Sequence, residues 1–477
     1  MNKPRKSRLF VENMLIYGLG GIISKALPII MIPIVTRLMP DSSYFGLSDL
    51  TTTVVSFAQA IALMGMYDAM YRMFFEREEV EYKKNVCSTA FIFAVFSSTV
   101  VFLVLLMSKE WISEWVFKDS QYTYLVYLCA ISVFIGTTNS IVSAPTRMLN
   151  RKKVFLVINT FGPIMSYAIA IPLILKGFYV IALPLAGVLS CLILEVAFGV
   201  LNRKWFSFRY FNKIILKQLL AIAVPVTPSF LIYWVFNSCD KLMIANIIGV
   251  AAAGIYAVGA KLGHASQLIY IAFSGGWQYF AFSTMKDENQ VKTNSCIFEY
   301  LGVISFAITA FVCAWSYPIC RVLFSGDYVD GYIVSPYLFL APLLQMLFQV
   351  AGTQLWTIKK PWPNMLFLLA GAIFNICLNC ILIPIIGIEG AAISTLLGYA
   401  LSLTLSVSVL SRMKLMILTK RIAVATVIQI VYMGIWRLFL QKMVFISTTL
   451  AVLITIVYIF LYRDDLKRLV AEFIDRN

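Results

Sequence analysis

A lysine lies in the middle of an apolar run that is long enough to cross a membrane. In GGIISKALPIIMIPIVTRLMP, residues 20–40, Lys25 is about 11 residues, or roughly 16 Å, from either end of its predicted span. A charge at the bilayer centre costs about 2.5–3.5 kcal/mol, so such residues mainly face a cavity or a ligand. Headgroups are beyond comfortable reach of its ammonium. Lys25 is therefore predicted to bind an anion inside a cavity.

Other polar residues inside predicted spans favour the same cavity. Lys261, His264 and Gln267 follow at intervals of three, so they occupy neighbouring parts of one helix face. Lys261 and His264 are predicted to contact substrate; the alternatives are a polar stripe that lines water, or a lysine that neutralises a buried acid. Four amides are predicted to complete the substrate site, although each, like Tyr17 and Asn139, could instead form an interhelical hydrogen bond: Gln59, Gln278, Gln345 and Gln349.

A second group of polar residues has the chemistry of a cation site. Asp240, Asn379 and Thr395 are each predicted to lie roughly 9–12 Å below the outer surface, and Asn375 is one helical turn from Asn379. A carboxylate, two amide oxygens and a hydroxyl are hard oxygen ligands that Na⁺ accepts. The competing interpretation is a buried ion pair between Asp240 and Lys261, which would satisfy both charges without an ion.

The chain has little material for covalent catalysis or for a cofactor. His264 is the single histidine, which leaves little for a Ser-His or His-metal constellation. No connection between predicted spans exceeds about twenty residues, too short for a soluble catalytic domain, and there is no Walker-type glycine loop. CLNC, residues 377–380, lacks a second cysteine pair or a nearby histidine, so no metal site is predicted. The function expected is transport rather than catalysis.

The composition is that of an integral membrane protein. Of 477 residues, 60% are hydrophobic and 13% are charged, compared with about 45–50% apolar and 25% charged in soluble domains. The apolar runs predict an all-α protein with about fourteen transmembrane helices. The predicted spans are 11–36, 46–71, 86–108, 122–146, 153–175, 178–201, 219–248, 252–283, 295–317, 332–357, 364–386, 389–411, 421–440 and 444–462.

The distribution of Lys and Arg predicts the orientation. An even number of spans places both termini on one side, and most of the 39 Lys and Arg residues fall on that side. The opposite loops hold only Arg37, Lys109, Lys118, Lys176, Arg321, Arg437 and Lys442. By the positive-inside rule both termini are predicted to be cytoplasmic. The basic N-terminus, which has no small-residue cleavage site, is predicted to lead into a retained span rather than a signal peptide.

A weak internal repeat predicts two lobes. TRLMPDSSYFGLSDL after the first span resembles DKLMIANIIGVAAAGIYAVGAKL after the seventh, and IPLILKGFYVIALPLAGV resembles IPIIGIEGAAISTLLGY at nearly the same lag. Two six-helix lobes related by a pseudo-two-fold along the membrane normal follow, with a substrate path between them. The predicted division is a lobe at 1–205, a lobe at 206–415, and an extra helix pair with a cytoplasmic tail at 416–477.

A family resemblance is carried by four stretches: YGLGGIISKALPIIMIPIVTRLMPDSSYFGLSDL, SAPTRMLNRKKVFLVIN, AIAVPVTPSFLIYWVFNSCDKLMIANIIG and GIEGAAISTLLGYALSL. They resemble the polysaccharide-transporter branch of the multidrug/oligosaccharidyl-lipid/polysaccharide exporter superfamily, the Wzx-type flippases. The resemblance implies a V-shaped bundle whose central cavity opens alternately to the two sides. It also implies cationic positions in the first and eighth spans, matched here by Lys25 and Lys261. The chain departs from relatives that carry a cation well inside the second span, because Arg72 lies at the cytoplasmic end of that span.

The substrate implied by the resemblance is a polyprenyl-pyrophosphate-linked oligosaccharide. Such flippases of the bacterial cytoplasmic (inner) membrane move it from the cytoplasmic to the outer leaflet during assembly of O-antigen, lipopolysaccharide or capsule. Polysaccharide polymerase and other assembly proteins are implied partners, besides membrane lipids, and nucleic acid is not. Some flippases of this superfamily have an Asp in span seven, Asn and Asp in span eleven and a Thr in span twelve. Here Asn379 replaces the second acid, and coupling to Na⁺ or to H⁺ stays open.

Three other functions compete with this interpretation. A drug or cation antiporter of the same architecture would be expected to carry an acid in the first span, where this chain has Lys25. A murein-precursor flippase differs mainly in its additional cationic positions. A membrane polysaccharide polymerase would need acid-base side chains in an outer loop, where this chain has scattered carboxylates and no histidine.

Overall fold

The regular secondary structure of the protein is helical. The computed structural model describes residues 27–285, 287–360, 362–465 and 467, and within these residues there is no strand. Eleven of the described helices are long and apolar enough to cross a membrane, and one bent pair would make a twelfth. The predicted class, an all-α multi-pass membrane protein, is confirmed.

The described residues form two compact units. The first comprises the chain up to Ala257 together with Asn379–Ile388, and the second comprises Val258–Leu378 and the chain from Glu389 onward. Ten of the described α-helices lie entirely within the first unit. They are α1 (Leu27–Leu38), α2 (Ser42–Leu63), α3 (Met66–Phe74), α4 (Val80–Met107), α5 (Lys109–Val116), α6 (Thr123–Met148), α7 (Lys152–Leu175), α8 (Tyr179–Asn202), α9 (Lys213–Trp234) and α10 (Asp240–Ile247).

The remaining helices begin with α11, which runs from the first unit into the second. They are α11 (Val250–Gly263), α12 (Gln267–Ser283), α13 (Gln290–Leu323), α14 (Ser335–Thr357), α15 (Trp362–Ile386), α16 (Ile388–Arg412), α17 (Lys420–Ile435) and α18 (Val444–Leu461). Two π-helical segments, Val235–Cys239 and Trp436–Leu440, follow α9 and α17. The predicted division at residues 205/206 and 415/416 stays a prediction.

The predicted count of fourteen spans is not confirmed. Twelve predicted spans correspond to the eleven single helices and the bent pair. Most of the first predicted span lies outside the described residues, which begin with its last part, α1. The predicted span 252–283 is divided by a 3₁₀ turn at His264–Ser266 into α11 and α12, of 14 and 17 residues. Neither of these helices alone has the roughly 20 residues that a span requires.

The predicted span 46–71 is bent by 45° between α2 and α3. The bend is at Met64 and Gly65, which both adopt the left-handed conformation, with φ of 45° and 70°. A Cβ at Gly65 would lie 2.8 Å from the backbone oxygen of Ala223, so only glycine allows α9 to approach this closely. Beyond the bend, α3 buries Met66, Met70 and Met73 against α4, α6 and α9, in a core of methionine and small side chains.

The second unit is built around α14, which is buried along most of its length. The helices α17 and α18 contact α13 through polar groups. The Tyr432 hydroxyl on α17 donates to the backbone oxygen of Ala310 on α13 at 3.1 Å. The buried carboxylate of Glu299 on α13 accepts from the Thr419 backbone N–H at 2.6 Å and from the Tyr462 hydroxyl at 3.0 Å. At the other end of α17, Arg437 pairs with Glu389 at the start of α16.

Candidate functional site

The predicted substrate residues fall into three groups. Lys25 lies outside the described residues, as does the side chain of Gln278. In the second unit, Gln345 and Gln349 are partly buried and one turn apart on α14. Lys261 and His264 are also in the second unit, and Gln59 is in the first.

Lys261, His264 and Gln267 surround a break in a helix. Lys261 lies in the last turn of α11, His264 begins the 3₁₀ turn, and Gln267 begins α12. All three residues are partly buried. A short 3₁₀ stretch within a helical run often marks a functional hinge, and interrupted helices often form the binding sites of transporters. The break therefore coincides with the residues that the sequence assigns to substrate.

Gln59 lines a cavity of about 380 Å³ in the first unit. Its Nε2 is 3.5 Å from the hydroxyl of Ser140 on α6. A Cβ at Gly136 would come within 3.1 Å of the same nitrogen, so the absence of a side chain at Gly136 allows the amide to approach α6 closely. Gln59 also lines a second cavity of about 310 Å³, together with Asn139. Gln59 is thus shared by the linings of two cavities.

One face of α2 contacts the segment formed by α9, the following π-helix and α10. The Lys241 ammonium is 2.7 Å from the Asp49 carboxylate; Asp49 is buried, and only 13% of the Lys241 side chain is exposed. One turn along α2, the Trp234 indole N–H donates to the backbone oxygen of Thr53 at 3.2 Å and to the Ser56 hydroxyl at 3.1 Å. Asp49, Thr53 and Ser56 follow at helical spacing, so they form one continuous contact face.

Farther toward the start of α2, two glycines bring this helix against α11. A Cβ at Gly46 would lie 2.2 Å from the backbone oxygen of Val250, and a Cβ at Gly254 would lie 2.0 Å from that of Ser42. The backbones are therefore in direct contact, as small residues allow in membrane helix pairs. We call the contact formed by Gly46, Gly254, Asp49, Lys241 and Trp234 the α2 seam.

Gly254→Ala tests the seam's close packing. The added methyl meets a backbone oxygen that cannot move without shifting a helix, so we expect a loss of about 1–3 kcal/mol of stability. Thermal unfolding of the detergent-solubilised protein measures it. Gly434→Ala on α17 is the matched control, because a Cβ there meets nothing within 4 Å and alanine favours a helix. Equal melting temperatures for the two variants would contradict the packing argument.

Asp240, the predicted cation ligand, is buried in the first unit next to the seam. Its Oδ2 accepts a hydrogen bond from the Tyr256 hydroxyl on α11, and its Oδ1 accepts from the backbone N–H of Lys241 at 2.9 Å. The Lys241 ammonium itself pairs with Asp49. Asp49, Trp234 and Tyr256 are not among the residues predicted from the sequence. Asp49 and Lys241 could have been found from the sequence, because each is a charged residue within a predicted span, where charges are rare.

Two of the other predicted cation ligands are in contact in the second unit. The Asn375 Nδ2 donates to the Thr395 hydroxyl at 3.0 Å, and both side chains are buried. Asn379 is one turn further along α15, is also buried, and belongs to the first unit. Among the described residues, no three His, Cys, Asp or Glu side chains cluster as metal ligands. The oxygen donors here are amides and a hydroxyl, which suit a hard monovalent cation better than zinc.

The fold is shared with solved flippases and transporters. One structure, "Lipid II flippase MurJ, inward closed conformation", is 11% identical and matches with a TM-score of 0.72 over 95% of this chain and 100% of that chain. An inward-facing multidrug resistance MATE family transporter of the MOP superfamily is 14% identical, with a TM-score of 0.63 over 83% of this chain and 98% of that chain. These likenesses show the fold.

A third structure of this fold is also a transporter. It is a MOP superfamily transporter from Pyrococcus furiosus, described as having a binding pocket of reverse polarity, which is 15% identical with a TM-score of 0.57 over 84% of this chain and 95% of that chain. All three of these solved proteins are named as flippases or transporters. This agrees with the prediction that the chain is a transporter rather than an enzyme.

Sequence comparison defines the family. No curated protein sequence matches the chain. The profile of the family described as polysaccharide biosynthesis protein matches residues 34–332, more than half of the chain. The matched segment includes the whole α2 seam and the helix break at His264. This chain therefore belongs to the polysaccharide biosynthesis protein family.

Proposed function

We propose that the protein is a flippase that moves a polyprenyl-pyrophosphate-linked oligosaccharide from the cytoplasmic to the outer leaflet by alternating access. The observation that carries the proposal is that a chain of the polysaccharide biosynthesis family has, over 95% of its length, the fold of a lipid II flippase. Lipid II flippase MurJ is named for a lipid substrate, which makes a lipid-linked saccharide the matching cargo for a family of polysaccharide biosynthesis.

The charge of the candidate site supports an anionic headgroup. Lys25 and Lys261 supply ammonium groups that would bind a diphosphate as point charges, and His264 and Gln59 would add hydrogen bonds. Gln278, Gln345 and Gln349 complete the proposed set, because an amide both donates to and accepts from sugar hydroxyls. The first span has a lysine and no deep acid, whereas a cationic drug would be bound best by a carboxylate.

The proposed topology has both termini in the cytoplasm of a bacterial inner membrane. The bias of Lys and Arg between the two sets of loops supports it. A polymerase that consumes the translocated saccharide on the outer side is the proposed downstream partner.

We also propose that Na⁺ binds at Asp240, Asn375, Asn379 and Thr395. Each of the four side chains is buried, and in the second unit the contact between Asn375 and Thr395 supports the proposal. Saturating Na⁺ at about 100 times its Kd stabilises a protein by about 2.7 kcal/mol. We therefore expect NaCl, relative to choline chloride, to raise the melting temperature of the purified protein, and Asp240→Asn to abolish the rise. A rise of the same size in the variant would contradict the site.

Deletion of the gene in its host tests the proposed function. The expected result is that complete polyprenyl-pyrophosphate saccharides accumulate on the cytoplasmic leaflet, and that the supplied wild-type chain clears them. An unchanged lipid-linked pool with an unchanged leaflet distribution would overturn the flippase. Sensitivity of the deletion strain to hydrophobic cations, without a change in that pool, would identify a drug exporter instead.

A further inference from the structure

The cavity beside Trp234 has the chemistry of a saccharide site. It lies in the first unit, its volume is about 380 Å³, and pockets of about 300–1,000 Å³ are typical of small-ligand sites. Three aromatic side chains line it, Phe230, Tyr233 and Trp234, together with the amides of Gln59 and Asn237. We propose that this cavity binds the neutral sugar portion of the lipid-linked substrate. This proposal rests on the proposed function and adds a named subsite to it.

The position of the Trp234 ring is determined by contacts on one side. Its indole N–H is occupied by the Thr53 oxygen and the Ser56 hydroxyl, and Phe57 packs on it with ring centroids 4.7 Å apart. A ring that neighbours hold in one orientation is preorganised as a binding surface. Sugar rings present C–H groups on their faces, which pack against the electron-rich face of an indole.

The two amides are also held by the fold. Gln59 is confined between Gly136 and Ser140, and the Asn237 Nδ2 donates to the Tyr233 backbone oxygen at 2.7 Å. Asn237 belongs to the π-helix Val235–Cys239, and π-helical turns occur frequently at functional sites. Because each amide carries donors and an acceptor, the pair can match the hydroxyl groups of a sugar.

The lining residues argue against the other portions of the substrate. None of the described side chains that line the cavity carries a formal charge, so a diphosphate would have no counter-charge there. A polyprenyl chain offers neither donors nor acceptors, so it would displace water from the polar atoms of the Gln59 and Asn237 amides without replacing the lost hydrogen bonds, which costs about 1–3 kcal/mol for each group. A hydrophobic cation could use the aromatic rings, and it is the rival ligand that the test must exclude.

Native mass spectrometry of the protein in nanodiscs tests the assignment. The probes are synthetic polyprenyl diphosphate and the polyprenyl-diphosphate saccharides extracted from the host. We expect the wild-type protein to bind the saccharide-bearing lipids about tenfold more tightly than the bare lipid, because a ring contact and two amides are added. Trp234→Leu and Asn237→Leu should each remove most of this preference and leave the affinity for bare lipid unchanged.

Two further variants separate binding from folding. Trp234→Phe retains an aromatic face and loses the N–H, so it should keep most of the preference. Trp356→Leu, at an exposed position of α14, should keep all of it. A preference for saccharide-bearing lipid that survives in both Trp234→Leu and Asn237→Leu would overturn the subsite. Equal wild-type affinity for the two kinds of lipid would also overturn it. Trp234-dependent binding of tetraphenylphosphonium that saccharide-bearing lipid does not displace would also overturn it. A wild-type protein that binds neither lipid would instead overturn the proposed function itself.

Discussion

Asp49→Asn is expected to destabilise the protein by about 3–5 kcal/mol, because it leaves the Lys241 ammonium buried without its carboxylate. The two charged atoms are 2.7 Å apart in the α2 seam, where the Asp49 side chain is 7% exposed and the Lys241 side chain 13%. The nearby carboxylate of Asp240 already accepts from Tyr256 and from a backbone N–H. A fall of several degrees in the melting temperature of the purified protein would measure the loss.

The double variant Asp49→Asn, Lys241→Met separates the pair from its surroundings. Replacing both members of a buried ion pair with neutral groups is often close to neutral, so the double variant should regain most of the lost stability. The control is Glu78→Gln, because the Glu78 carboxylate is 2.7 Å from the Lys83 ammonium and the Glu78 side chain is 91% exposed. Ion pairs with an exposed member contribute little. A double variant as unstable as the single one would contradict the role of the pair.

Lys25→Ala is expected to lower transport of the lipid-linked saccharide by roughly tenfold to more than a hundredfold. A hydrogen bond to a charged group is worth about 1.5–3 kcal/mol, and each 1.4 kcal/mol is a factor of ten. Lys261→Ala, at the helix break, should cause a loss of similar size. The two variants are compared with wild type by the amount of cytoplasmic-leaflet saccharide that remains in complemented deletion cells.

An exposed lysine provides the control for these variants. Lys360→Ala removes a charge at an exposed position between α14 and α15 and should restore transport like wild type at equal protein abundance. Lys25→Arg keeps the charge and should retain part of the activity, since a guanidinium is larger and binds phosphate in a different geometry. Full transport by Lys25→Ala would show that this lysine does not bind the substrate.

Hydropathy alone predicted most of the helices because each span must bury its own backbone hydrogen bonds in lipid. For example, the predicted span 364–386 is the helix Trp362–Ile386, and 389–411 is Ile388–Arg412. Local length and apolarity decide such elements, and both are readable from one sequence. The charge bias between loops predicts the topology in the same local way.

Backbone irregularities within the spans could not be predicted in this manner. The bend at Gly65 depends on the approach of Ala223, which is distant in sequence. The 3₁₀ turn at His264 and the π-helix at Val235–Cys239 interrupt runs whose hydropathy is continuous. Hydropathy averages over a window, so it does not register the insertion of one residue into a helical turn or a change in its hydrogen bonds.

The candidate site was predictable by residue type and not by partner. The sequence identified Asp240 and Gln59 as unusual in a membrane span, and it expected Asp240 to bind a cation or to pair with Lys261. In the structure, Asp240 accepts hydrogen bonds from Tyr256 and from the Lys241 backbone N–H. The first of these depends on how α11 packs beside Asp240, which directly follows the π-helix Val235–Cys239. Asp49 and Lys241 are far apart in the chain, so only the tertiary fold brings them together.

Reconstitution of the purified protein tests the central claim most directly. Proteoliposomes are prepared with fluorescent polyprenyl-diphosphate saccharide in both leaflets, and a membrane-impermeant quencher is added outside. We expect vesicles with wild-type protein to lose nearly all fluorescence as inner-leaflet lipid is moved outward, whereas protein-free vesicles should lose only the fluorescence of the outer leaflet, which is roughly half. Wild-type vesicles that also stop at half, while the same preparation transports tetraphenylphosphonium, would contradict the flippase and identify a cation exporter.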